Sequence, residues 1–110
     1  MILGVGIDLI EVDRIAGSVE RFGERFLNRI LCPGEIAYCR TFKHPHPHIA
    51  ARFAAKEAVS KAFGTGIGAA LGWRDIEVEH QPSGAPFIIL HGAGTELLRQ
   101  RQASRVWLSL

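Results

Sequence analysis

Residues 1–12 are apolar almost throughout, with Ile2, Leu3, Val5, Ile7, Leu9, Ile10 and Val12 in close succession. A short run this rich in β-branched residues predicts a strand buried on both faces. Gly4 and Gly6 carry no side chain there, so something is expected to approach the backbone closely. Asp8 breaks the pattern, because a carboxylate in such a strand has to be paired, bound to a metal, or placed at the strand end. Beyond it the period becomes helical. Ser18 is suited to cap a helix reaching about residue 31. Val19, Phe22, Phe26, Leu27 and Ile30 share its inner face, and Arg21, Arg25 and Arg29 recur every fourth position beside them. That row reads either as a docking stripe for an acidic helix or as a solvated face with both Phe in the core. Pro33 opens a second helix to about residue 42, which would bury Ile36, Cys39 and Phe42. In His44-Pro45-His46-Pro47-His48 the prolines spread the imidazoles apart, so this run reads as an extended, solvated linker.

Residues 52–63 carry the strongest helical signal: rich in Ala, free of Pro and Gly, and stopped by Gly64. At roughly 100° per residue, Ala51, Ala54, Ala55, Ala58, Val59 and Ala62 share one arc, with Lys56, Glu57, Ser60 and Lys61 opposite. A stripe so small buries little area, but it lets a neighbouring backbone come very close. The opposite arc reads as a solvated Glu57–Lys61 pair or as the wall of a site. Gly64-Thr65-Gly66-Ile67-Gly68 follows a helix rather than a strand, so it is a helix end and flexible loop and no dinucleotide fingerprint. Over residues 73–80, Ile76 and Val78 alternate with Asp75, Glu77 and Glu79 as in a half-buried strand. Pro82-Ser83-Gly84 turns it into a partner at residues 86–90. A short helix at 94–101 and a strand at 105–110 follow. The expected order is β-α-α-α-β-β-α-β, an α+β fold with a small antiparallel sheet packed on helices.

With 110 residues the chain forms one domain with a modest core, and small chains of this kind often complete a cleft by oligomerising. Apolar residues make up 47% of it, which excludes a disordered tail. No apolar run approaches a membrane span, and no basic region precedes the first apolar stretch, so a cytosolic location is expected. A net charge of +2 is too small to argue for nucleic acid. The basic residues are nevertheless ten Arg and only three Lys, which hints at an acidic partner or a phosphorylated ligand. Cys32 and Cys39 are too few for a disulfide framework or a four-ligand zinc site and read as reduced, partly buried thiols.

Three pieces now align: Gly6-Ile7-Asp8 in the opening run with Arg14 beyond it, Phe53-Ala54-Ala55-Lys56-Glu57-Ala58 in the central helix, and Trp73-Arg74-Asp75-Ile76-Glu77-Val78 ahead of Ser83-Gly84-Ala85-Pro86. In this order and spacing the chain resembles the 4′-phosphopantetheinyl transferase superfamily, and within it the small bacterial holo-acyl-carrier-protein synthases. The resemblance extends over essentially the whole chain. It implies transfer of the phosphopantetheine arm of coenzyme A to a serine of apo acyl carrier protein, releasing 3′,5′-ADP. By position, Asp8 and Glu57 correspond to the magnesium ligands, and Lys61 to a lysine near the phosphates, giving Asp8, Glu57 and Lys61 as the catalytic set. Coenzyme A is expected against Lys61, Lys56, Arg52, Gly84 and Pro86, with Lys56 either contributing or only making an ion pair. Carrier docking falls to Arg14, Arg21, Phe22, Arg25, Phe26 and Arg29. The family's trimers, with sites between subunits, agree with the small core.

Elementary chemistry is consistent with this. Mg²⁺ takes one or two carboxylates plus phosphate oxygens, and Asp8 and Glu57 supply them if the Ala face brings the helix onto the opening strand. The serine nucleophile belongs to the partner, so no Ser/His/Asp arrangement is required. Two departures stand out. Cys32 replaces a hydroxyl residue usual at the second helix N-cap, and the family's last strand, beyond residue 110, is expected to be missing. The competing expectation is a non-catalytic coenzyme A or carrier-protein binding module with the same fold.

Overall fold

The computed structural model describes all 110 residues. Helix α1 (Val12–Phe22) starts directly after the opening run, with Glu11 at its N-cap, seven residues ahead of the expected cap at Ser18. Gly23 then breaks the expected single helix: its φ of 56° and ψ of −133° end α1, and α2 (Glu24–Ile30) restarts at once. Pro33 does open α3 (Pro33–Arg40), which buries Ile36 and Cys39, whereas Phe42 lies beyond the helix at the surface. There Phe42 stacks on His48 with ring centres 3.6 Å apart.

The His-Pro run is not an extended linker. Its last three residues form the first turn of α4 (His46–Phe63), because proline in a first helical turn forfeits no backbone hydrogen bond. Gly64 ends α4 in the left-handed region (φ 81°), and the Thr65 and Gly66 N–H groups donate back to the Ser60 carbonyl at 3.1 and 3.2 Å. The glycine-rich stretch thus terminates a helix, as its place in the chain implied.

After a 3₁₀ turn at Trp73–Asp75, β1 (Ile76–His80) and β2 (Pro86–Leu90) pair antiparallel, from Ile76 opposite Leu90 to His80 opposite Pro86. Ile76 and Val78 are buried and Glu79 exposed, so the alternation holds. Helix α5 (Ala93–Gln100) closes over the 3₁₀ turn. The larger apolar cluster joins Ile15, Leu27, Ile30, Leu31, Ile36, Cys39, Ile49 and Ala50 between α1, α2, α3 and α4. A smaller one joins Val59, Leu71 and Ile76 beneath the hairpin. No helix is long and apolar enough to cross a membrane.

The α+β class and the hairpin match expectation, but the first and last elements do not. Neither residues 1–11 nor residues 105–110 belong to a ladder, because the only two strands of the chain pair with each other. The opening run instead crosses α4. A Cβ on Gly4 would stand 2.3 Å from the Ala62 carbonyl oxygen, and one on Gly6 would stand 1.8 Å from that of Ala58. Asp8 lines a shallow cleft with Ala51 and Ala54. Two residues of the run therefore match one four-residue step of α4, about 6.6 Å of extended chain against about 6 Å of helix rise. The run is thus extended and antiparallel to α4, with Gly6, Asp8 and Ile10 half-buried. Ile2, Leu3, Val5, Ile7 and Leu9 are exposed, so the run is not the doubly buried strand expected.

Candidate active site

Asp8 is delivered to α4 by this crossing and held there by Lys61. The Lys61 Nζ donates to Asp8 Oδ1 (2.6 Å) and to the Ile7 carbonyl (3.3 Å). Lys61 follows Glu57 by four residues, so both project from one stripe of the helix surface. The solvated Glu57–Lys61 pair does not form; the lysine reaches across to the opening run instead. Ser60 Oγ engages only the Glu57 main-chain carbonyl (2.7 Å), which leaves the Glu57 carboxylate free at a partly exposed position. The result is an Asp8–Lys61 ion pair, with the Asp8 side chain 17% and Lys61 51% exposed, and Glu57 one helical turn before Lys61 on the same helix. Hard oxygen donors with no thiol or imidazole among them are the set that Mg²⁺ takes, so the residues fit that ion.

The other half of the expected polar arc is interior. Lys56 is 0% exposed, and its ammonium donates to Glu35 Oε1 (2.6 Å), the Ile30 carbonyl (2.7 Å) and the Trp73 carbonyl (3.0 Å). An ammonium has three donors, and all three are used inside the chain, so none remains for a phosphate. Of the two roles open to Lys56, the structure gives it the ion pair. Glu35 is the residue that pattern reading missed. Its Oε1 also accepts the Cys32 N–H (2.8 Å), and its Oε2 accepts the Val78 N–H (3.0 Å). The sequence signal was local: a glutamate two residues after a helix-opening proline can reach back to the N-cap N–H, as in half of a capping box. Cys32, lacking a hydroxyl, turns its thiol to the Arg74 carbonyl instead (3.5 Å).

Arg52 is likewise buried rather than facing a ligand. Its Nη1 donates to the His48 carbonyl (3.0 Å), and its guanidinium lies 4.4 Å from the Tyr38 ring centre. Nη2 lies 3.4 Å from His80 Nδ1, and an arginine can only donate, so this nitrogen accepts and His80 carries its proton on Nε2. Burial first, then Arg52 and His48, hold the His80 pKa below the usual imidazole value, in keeping with a neutral ring. Tyr38 stacks on His80 at 4.5 Å and fastens α3 to the end of β1. Pro86 pairs with His80 in the ladder, and Gly84 takes a φ of 91° in the exposed turn between the strands.

The arginine row survives in part. Arg14, Arg21, Arg25 and Arg29 are all exposed, but the break at Gly23 leaves Arg14 and Arg21 on α1 and Arg25 and Arg29 on α2. Phe22 is 51% exposed beneath the Arg21 guanidinium, whereas Phe26 is partly buried and packs against the core.

The comparisons with known proteins agree with one another. Residues 4–107 match the family model of the 4′-phosphopantetheinyl transferase superfamily. A holo-[acyl-carrier-protein] synthase of Koribacter versatilis is 47% identical over 110 residues, covering 100% of this chain and 88% of that protein. Among solved structures, the holo-[acyl-carrier-protein] synthase of Neisseria meningitidis superposes with a TM-score of 0.87 at 38% identity, covering 96% of this chain and 84% of its own. The Helicobacter pylori holo-[acyl-carrier-protein] synthase, solved in complex with coenzyme A, gives 0.80 at 38% identity, with 92% and 83% covered. With its hairpin-and-helix fold and its Asp8–Lys61–Glu57 edge, the chain belongs to the 4′-phosphopantetheinyl transferase superfamily, among the holo-[acyl-carrier-protein] synthases.

Proposed function

We propose that the chain moves the 4′-phosphopantetheine arm of coenzyme A onto a serine of apo acyl carrier protein, with Mg²⁺ and release of 3′,5′-ADP, as a cytoplasmic step of fatty acid biosynthesis. The observation that carries this reading is the Asp8–Lys61 ion pair standing one helical turn from the free Glu57 carboxylate. Asp8 and Glu57 would hold the Mg²⁺, which when bound offsets charge on the pyrophosphate as the phosphoanhydride breaks. Lys61 uses two of its three donors on Ile7 and Asp8 and keeps one for a phosphate oxygen of the leaving nucleotide. Gly84 and Pro86, at the hairpin turn, are suited to the nucleotide end. Arg52 and Lys56 act from inside, by holding the helix and hairpin that carry these groups. The direct test is to incubate the chain with apo carrier protein, coenzyme A and Mg²⁺ and to measure the carrier's mass. Addition of one phosphopantetheine is expected, and an unmodified carrier would refute the reading.

Carrier docking is assigned to Arg14, Arg21 and Phe22 on α1 and to Arg25 and Arg29 on α2. Arg21→Glu is expected to raise the KM for the carrier by about tenfold or more and to leave that for coenzyme A nearly unchanged, because a reversed rim charge repels only the acidic partner. Equal loss for both ligands would remove the assignment. Leu3, Val5, Ile7 and Leu9, an apolar edge with no partner in the chain, support a homotrimer that shares its sites between subunits. Light scattering should return three chain masses, and a monomer at micromolar concentration would speak against shared sites.

A further inference from the structure

We infer that Cys32, Glu77 and His91 form a binding site for one zinc-type divalent ion, built from other elements than the Asp8–Glu57 edge. Cys32 is the N-cap residue of α3, Glu77 belongs to β1, and His91 follows β2 directly. Their ligand atoms all lie within 4.8 Å of one another. Bond lengths of about 2.0–2.3 Å at tetrahedral angles place zinc ligands about 3.3–3.8 Å apart, so a closure of about 1 Å completes the site. His91 Nε2 and Glu77 Oε1 are held 2.7 Å apart by a hydrogen bond, so an ion entering the site replaces the bridging proton and spreads this pair by about 0.6–1 Å. His91, just beyond β2, is the exposed member, so its side chain has the most room to adjust.

The position of Glu77 calls for a cation. Alternation puts it on the face of β1 opposite the buried Ile76 and Val78, yet its side chain is only 13% exposed. Its hydrogen-bond partner is the His91 imidazole, and no Lys or Arg forms a salt bridge with it. Gly34 leaves room for it, since a Cβ there would stand 3.2 Å from Glu77 Oε2. A thiolate, an imidazole and a carboxylate from three elements make a borderline-soft donor set. Such a set selects Zn²⁺ over Mg²⁺ and leaves a fourth position for water on the exposed His91 side. Binding releases the Cys32 thiol proton to solvent, takes the proton off the His91 Nε2–Glu77 Oε1 contact so that both atoms can ligate, and replaces the thiol's hydrogen bond to the Arg74 carbonyl. An ion there would clamp the N-terminus of α3 to both strands of the hairpin.

The test uses the whole chain, stripped with a chelator and titrated with Co²⁺. One equivalent is expected to produce a thiolate-to-cobalt charge-transfer band, which Zn²⁺ abolishes and excess Mg²⁺ leaves unchanged. Cys32→Ser should lose the band while keeping Cys39, and a serine at an N-cap preserves the fold. His91→Ala, an exposed change, should weaken cobalt binding at least tenfold. Glu57→Gln should keep the band, because oxygen ligands at the other site give no sulfur transition. Zn²⁺ should also raise Tm in the unaltered chain and in neither Cys32→Ser nor His91→Ala. A band that persists in Cys32→Ser, or no band at all, overturns the inference and leaves Glu77–His91 a plain hydrogen-bonded pair.

Discussion

Glu57→Gln and Asp8→Asn are each expected to lower kcat/KM for transfer by on the order of 10³-fold, about 4 kcal/mol of transition-state stabilisation. Both replacements keep side-chain volume and remove one negative charge. Glu57 has no carboxylate partner in the chain, so its loss leaves no group stranded and should not shift the unfolding midpoint. Asp8→Asn weakens a partly exposed contact to Lys61 and should cost little stability. Steady-state kinetics at varied Mg²⁺, with urea unfolding alongside, separate the effects. The expected pattern is a large catalytic loss, partly recovered at high Mg²⁺, on an intact fold. Turnover retained in both variants would take the magnesium role away from this edge.

Lys56→Met should do the opposite. It removes the cation from buried Glu35 and leaves the buried Ile30 carbonyl and the part-buried Trp73 carbonyl without their donor. Breaking one side of a buried pair costs about 3–5 kcal/mol, a large share of the ~5–15 kcal/mol that holds a typical domain folded. The denaturant midpoint should fall accordingly, while kcat/KM per folded molecule stays within a few-fold of the unaltered chain. Pairing Lys56→Met with Glu35→Gln should recover part of the loss, because no uncompensated carboxylate then remains in the core, and a double-mutant cycle isolates the coupling. A loss of stability under about 1 kcal/mol for Lys56→Met would show that α3, α4 and β1 do not depend on this pair. A selective rise in the KM for coenzyme A would instead give Lys56 the ligand-binding role.

Burial of Lys56 and Arg52 could not be read from helical periodicity. Whether an ammonium on α4 faces water depends on acceptors distant in the chain: Glu35 lies 21 residues away, and the Val78 N–H that completes the Glu35 set lies 43 residues from it. An arc of Lys and Ser looks polar from its composition even where three oxygens await it. The break at Gly23 was missed for a different reason. A glycine within a helical pattern costs only about 1 kcal/mol, so the pattern reads through it, and tertiary contacts decide whether the chain turns there. Proline in His46-Pro47-His48 suits a linker and a first helical turn equally well, and sequence alone does not separate the two.

What the chain determined alone is what neighbours in sequence enforce: the alternation of β1, the turn at Gly84, the proline start of α3 and the glycine stop of α4. It also left Gly4 and Gly6 without side chains where something had to come close, and the family resemblance pointed to Asp8, Glu57 and Lys61. Only the tertiary structure decided that the α4 backbone is what approaches, and that Lys61 bonds Asp8 rather than Glu57. It alone decided which basic side chains turn inward. Such choices depend on the distance between groups remote in sequence, and desolvation and ion pairing take their values from that distance.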